Sequence, residues 1–195
     1  ALLRGARGNS GVILSLMFRG IAQGLKGVKE ADCITVANAF QKGVDMAYKA
    51  VMKPTEGTIL TVARLAAAHL TDIAPKCASM EKLFEELVFK ADETLKKTPQ
   101  MLPVLKQANV VDAGGMGLLI IYRGMLHYLV NKTMIEASEA ENVQEEADFS
   151  LVATEDIKFT YCTEFLIVKD PRKVSSEREL KKYLDDIGDS IVVVD

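Results

Sequence analysis

From Ser10 to Asn131 apolar residues recur at three- and four-residue spacing, and no alternating run interrupts them. A chain patterned this way buries its apolar stripes only by laying helix against helix. The spacing predicts helices over about Ser10–Leu25, Asp32–Val51, Gly57–Ile73, Ser79–Lys97 and Gly115–Asn131. Asp32 and Ser79 stand where N-caps belong. Thr98-Pro99 reads as a cap followed by proline at the first helical position, opening a further short helix. The predicted fold class is mainly α, with an antiparallel helical bundle over residues 1–135.

The texture changes downstream. Glu136–Asp156 carries eight acids and no base, the composition of a solvated linker. Ile157–Val168 is β-branched and aromatic, alternating and then continuously apolar, which predicts a buried strand. Ser175 or Ser176 would cap a helix that ends at Gly188, and Ile191–Val194 reads as a second strand. Residues 157–195 thus resemble the opening β-α-β of a small α/β domain. With a helix due within ten residues of Ala1 and a strand running out at Asp195, the chain reads as part of a longer protein, its bundle incomplete at the N-terminus.

Charge divides the chain in the same way. Residues 1–135 hold 17 Lys/Arg and 11 Asp/Glu, whereas residues 136–195 hold 7 and 16. A mildly basic first unit suits an anionic ligand. Aromatic residues are few and not interleaved with the basic ones, which argues against a nucleic-acid surface. No apolar run reaches the ~18 residues of a membrane span, and no basic-then-apolar leader is seen. Cys33, Cys77 and Cys162 are odd in number and far apart, which fits a reducing cytoplasm. His69 and His127 lie inside helical patterns without metal-ligand spacing and read as structural or surface residues.

Three glycine segments each feed a helix start: Arg4–Gly11, Met52–Thr58 and Val110–Gly117. A helix N-terminus offers unpaired N–H groups and a partial positive charge, and glycine lets a bulky ligand approach the backbone. Each segment taken alone also reads as a capped connector. Asn9 or Ser10 could cap the first, Thr55 or Thr58 the second and Asp112 the third. Asp112 could instead hold a ribose hydroxyl or a metal-bound water. Three such ends converging would enclose a phosphate-seeking pocket. The segments match neither a Walker loop nor a GxGxxG turn after a strand.

Gly5-Ala-Arg-Gly-Asn-Ser-Gly-Val-Ile-Leu-Ser15, Lys53-Pro-Thr-Glu-Gly-Thr-Ile-Leu60 and Val110-Val-Asp-Ala-Gly-Gly115 resemble the DhaL-like nucleotide-binding domain of dihydroxyacetone kinases. They are more similar still to its homologue in the ATP-binding subunit of bacterial fatty acid kinases. Tyr161-Cys-Thr-Glu-Phe165 resembles the start of that subunit's middle domain. The resemblance implies an antiparallel α-helical barrel that binds ATP with two magnesium ions at one end. By position, Gly8, Asn9, Ser10 and Gly11 would lie against the phosphates, Thr58 and Ile59 would border the adenine, and Asp112, Ala113 and Gly114 would line the other side. The family holds its magnesium with an Asp-Gly-Asp-Thr-Gly-Thr-Asn type motif upstream of the first glycine segment. No such motif occurs here. The metal ligands are therefore expected outside this chain, no catalytic residue is assigned within it, and this stretch alone is expected not to turn over. Cys162 matches a zinc-binding cysteine of the middle domain, but no histidine follows it, so a buried structural cysteine is an equal reading.

The implied reaction phosphorylates the carboxylate of a fatty acid held by a separate, DegV-like binding protein, giving an acyl phosphate for phospholipid synthesis. A homodimer would form through domains outside this chain. Two other readings stay open: the nucleotide subunit of a dihydroxyacetone-type kinase, and a non-catalytic helical adaptor.

Overall fold

The computed structural model describes residues 5–135, 159, 161, 163–165, 167–168 and 176–194. Among them run α1 (Gly8–Gly24), α2 (Cys33–Ala50), α3 (Ile59–Ile73), α4 (Met80–Met101), α5 (Pro103–Gln107), α6 (Ala113–Asn131) and α7 (Glu177–Ile187), with a single 3-10 turn at Ala74–Lys76. The fold is a helical bundle, as the periodicity predicts. The Asp32 carboxylate accepts the Thr35 amide at 2.7 Å, and the Ser79 hydroxyl accepts the Lys82 amide at 3.2 Å. Of the two serines before α7, Ser176 takes the cap and accepts from Glu179 at 3.4 Å.

Helix α1 packs along α2 and approaches it most closely at a pair of glycines. A Cβ on Gly20 would fall 2.5 Å from Gly43 Cα, so the two backbones touch and only hydrogen fits at the crossing. Helices α3 and α4 form the centre, where Val62, Leu70, Leu83 and Leu87 are fully buried. Helix α6 closes on α4 and α3 through Gly115, Leu118, Leu119 and Tyr122. Phe40 of α2 joins the groups, its ring centroid 5.8 Å from both Phe84 of α4 and Tyr122 of α6. Each such buried aromatic contributes about 1.5–3 kcal/mol. Burial raises the Tyr122 phenol far above its ordinary value.

Helix α4 does not end at Lys97. It continues through Pro99 to Met101, and Thr98 is not a cap. Proline removes the amide that would bond the carbonyl four residues back. That carbonyl belongs to Leu95, and the Thr98 hydroxyl donates to it at 2.7 Å in the missing amide's place. The short helix α5 opens instead on Pro103.

The expected strands are also revised. The described residues of Ile157–Val168 make no strand, and Tyr161 and Val168 are 88% and 94% exposed. Ile191–Val194 forms only an isolated antiparallel bridge, Val192 with Val51, flanked by the Met52 amide on the Ile191 carbonyl at 3.2 Å. A strand needs a ladder of neighbours, and one bridge beyond the end of α2 is not a ladder. The acidic stretch 136–156 and Cys162 lie outside the described residues.

Helix α6 is, among the described residues, the one helix long and apolar enough to cross a membrane by length and composition, a property that the sequence reading of apolar runs missed. Here it packs one face into the bundle, and its Arg123 pairs with Asp92 of α4 at 2.9 Å. His69 bonds Glu86 at 3.0 Å between α3 and α4. Cys33 and Cys77, distant in sequence, are free thiols side by side, and burial followed by the Cys77 neighbour pushes the Cys33 thiol up.

Candidate functional site

The three glycine segments meet at one point. A Cβ on Gly114 would lie 3.2 Å from Ile59 Cβ, 3.3 Å from Asp112 Oδ2 and 3.5 Å from Ser10 Oγ. The first turns of α1, α3 and α6 therefore converge, and Ser10, Ile59, Asp112 and Gly114 from the sequence-derived set are brought together. Gly8, Asn9, Gly11, Thr58 and Ala113 flank that point along the same three turns.

The first segment departs from the capping expectation. The N-cap of α1 is Arg7 without a side-chain bond, so neither Asn9 nor Ser10 caps. The helix starts two residues early because Gly8 takes a left-handed φ of +64° and turns the chain into it. Space over Gly8 is open: a Cβ there would meet nothing within 4 Å. The Gly8 amide donates to the Glu164 carboxylate. Asn9 Nδ2 donates to the Ser190 carbonyl, and Lys53 pairs with Asp185. The C-terminal segment thus lays an anion on the N-terminus of α1, as the unpaired amides and positive end of a helix favour.

The second segment is braced from behind. Gly57 has φ +85°, and a Cβ there would come within 3.0 Å of both Leu102 Cβ and Met101 Cβ. Its amide donates to Thr61 Oγ1 at 2.9 Å, and that hydroxyl donates to Glu56 at 2.9 Å. Arg64 holds Glu56 at 2.6 Å and donates to the Tyr48 hydroxyl at 3.0 Å. Burial pushes the Tyr48 phenol up, while its hydrogen bond to Arg64 raises the guanidinium further. Thr58 occupies the N-cap position of α3 without a side-chain cap bond, and its hydroxyl donates instead to the Thr55 carbonyl at 2.8 Å.

The third segment is a capped start. Asp112 Oδ2 accepts the Gly115 amide at 2.7 Å. Burial raises the Asp112 carboxyl above its ordinary value, against the opposing pull of the Gly115 and Ile59 amides. The Asp112 amide in turn donates to Thr98 Oγ1 at 3.1 Å. Sequence reasoning missed Thr61, Arg64, Thr98 and Glu164. A threonine directly before an intrahelical proline was the one local signal available for Thr98. Nothing local marks Thr61 or Arg64, and Glu164, though it stands in the Tyr161–Phe165 motif, carries no local sign that it meets Gly8.

Among the described residues no group of three or more His, Cys, Asp or Glu side chains could hold a metal ion. The carboxylate at the point of convergence, Asp112, is already committed to a backbone amide. The described residues do not fit a magnesium site.

Residues 1–127 match the DAK2 domain family. The chain belongs to that family. Residues 158–195 match a second family, described as the FakA-like middle domain of fatty acid kinase. Relatives of the DAK2 chain include proteins of Staphylococcus aureus strains USA300 and bovine RF122 / ET3-1, both described only as uncharacterized. Each is 43% identical over 199 residues, covering 99% of this chain and 36% of the relative. The chain thus spans about a third of the length of the curated relatives it matches. As a DAK2 domain followed by a FakA-like middle-domain segment, it is a kinase-related, nucleotide-binding component.

Proposed function

We propose that this chain is the ATP-binding part of a two-component fatty acid kinase. The whole protein would transfer the γ-phosphoryl group of ATP to the carboxylate of a fatty acid held by a separate, DegV-like binding protein, releasing ADP and an acyl phosphate. The division proposed is 1–135 as nucleotide-binding helical domain, 136–156 as linker and 157–195 as the start of the middle domain. Family matches over 1–127 and 158–195 support it. The protein would work in the cytoplasm, where ATP is available.

One observation carries the reading: the first turns of three helices converge at Ser10, Ile59 and Gly114, and the first of them already holds a carboxylate. In this reading the α1 amides and the Ser10 hydroxyl bind phosphate oxygens, and the space over Gly8 admits them. Thr58 and Ile59 border the adenine, and Asp112, Ala113 and Gly114 close the opposite wall. Phosphoryl transfer asks the protein chiefly for positioning and charge stabilisation, which converging helix ends supply. The fatty acid kinase reading is favoured over a dihydroxyacetone-type kinase by the match of residues 158–195.

The test is acyl-phosphate formation, trapped with hydroxylamine, by the full-length protein with ATP, MgCl2 and a fatty-acid-loaded DegV-like partner. Hydroxamate is expected. Phosphoryl transfer to dihydroxyacetone with none to fatty acid overturns it, and no transfer to either leaves the adaptor reading.

A further inference from the structure

Thr98 stands outside the glycine segments, in the last turn of α4, and bonds directly into the third of them. Its side chain is completely buried. A hydroxyl has one proton to give and lone pairs to accept with. Pro99 has no amide for the Leu95 carbonyl, so the Thr98 proton is drawn there, at 2.7 Å. With the proton so committed, the hydroxyl can face the loop only as an acceptor, and it accepts the Asp112 amide at 3.1 Å. Asp112 then caps α6 through Gly115 at 2.7 Å, beside Ile59 and Ser10.

We infer that Thr98, polarised by Pro99, is a positioning residue for the nucleotide site: its hydroxyl sets where the Asp112–Gly114 wall stands against Ser10 and Ile59. This rests on the reading of that site given above. The hydroxyl bridges 14 residues of sequence, from the last turn of α4 to the entry of α6. A chain needing only to end α4 would not require it to accept from Asp112. Replacing the hydroxyl by a methyl of the same shape strands both the Leu95 carbonyl and the Asp112 amide, and the wall loses its anchor.

The experiment uses the full-length protein, with Mg-ATP affinity read by calorimetry and Asp112 amide protection read by hydrogen exchange. Thr98→Val is expected to lose about tenfold in affinity, the scale of one unmade buried hydrogen bond. Thr98→Ser, which keeps the hydroxyl, is expected to stay within about threefold of wild type. Leu70→Val, a core change remote from the loops, controls for stability and is expected to leave affinity unchanged. Wild-type affinity in folded Thr98→Val, or fast exchange of the Asp112 amide in the wild type, overturns the inference. The exchange result decides even where Thr98→Val does not fold. A wild type that binds no Mg-ATP overturns the nucleotide reading instead, while the Asp112 exchange still reports on the anchor.

Discussion

Gly114 and Ile59 stand so close that a single methyl added to the glycine would sit 3.2 Å from Ile59 Cβ. The first turn of α6 is thereby pressed against the first turn of α3, and their contact forms the floor of the proposed nucleotide site. Gly114→Ala forces Ile59 to shift by a few tenths of an ångström. The expected cost is about 1 kcal/mol in urea unfolding, with a larger proportional loss of ATP affinity. Loss of stability with unchanged affinity would place the site elsewhere.

Gly57→Ala combines a positive φ with two contacts at 3.0 Å. The expected destabilisation is about 2–3 kcal/mol, measured by denaturant midpoint. A near-neutral change would mean that the 53–58 turn does not hold this conformation in solution.

Asp112→Asn separates capping from charge. An asparagine oxygen can still accept from Gly115, since both side chains cap well. The native carboxyl is raised by burial, so the folded state favours its protonated form. The stability this gives is complete below the unfolded value of about 3.8 and is lost as pH rises through the higher folded value. The variant, which does not titrate, should therefore gain in Tm relative to wild type as pH climbs through that window. A thermal-melt difference that is flat with pH contradicts the assignment.

Glu164 occupies the Gly8 amide that a phosphate oxygen would need. If nucleotide binds there, the carboxylate must leave first. Glu164→Gln should therefore raise ATP affinity, by roughly two- to fivefold for one charge-assisted hydrogen bond partly replaced by a neutral one. Equal affinities would mean that phosphate does not use that amide.

Much of the bundle was legible because helix starts are written locally. Asp32, Ser79 and Ser176 are short polar side chains preceding apolar periodicity, and each caps as its position implies. What escaped depends on partners distant in sequence. Pro99 read as a helix opener because the compensating bond, Thr98 to Leu95, becomes visible only once α4 is built through it. Asn9 and Ser10 read as caps, but the left-handed Gly8 starts α1 ahead of them. Ile191–Val194 has strand-like residues and no described ladder to join. The three glycine segments were visible in the sequence. Their convergence, and the brace of Thr61, Glu56, Arg64 and Tyr48 behind the second, arise from tertiary packing.

The most direct test of the account is calorimetric titration of ATP with MgCl2 into the full-length protein and its Ser10→Ala variant. Ser10 sits where the three helix starts meet, and its removal leaves the capping of α1 untouched. The account predicts saturable binding to the wild type and an affinity about two- to tenfold lower in the variant, as for one hydrogen bond lost. Equal affinity in the two proteins, or no binding to either, would contradict it.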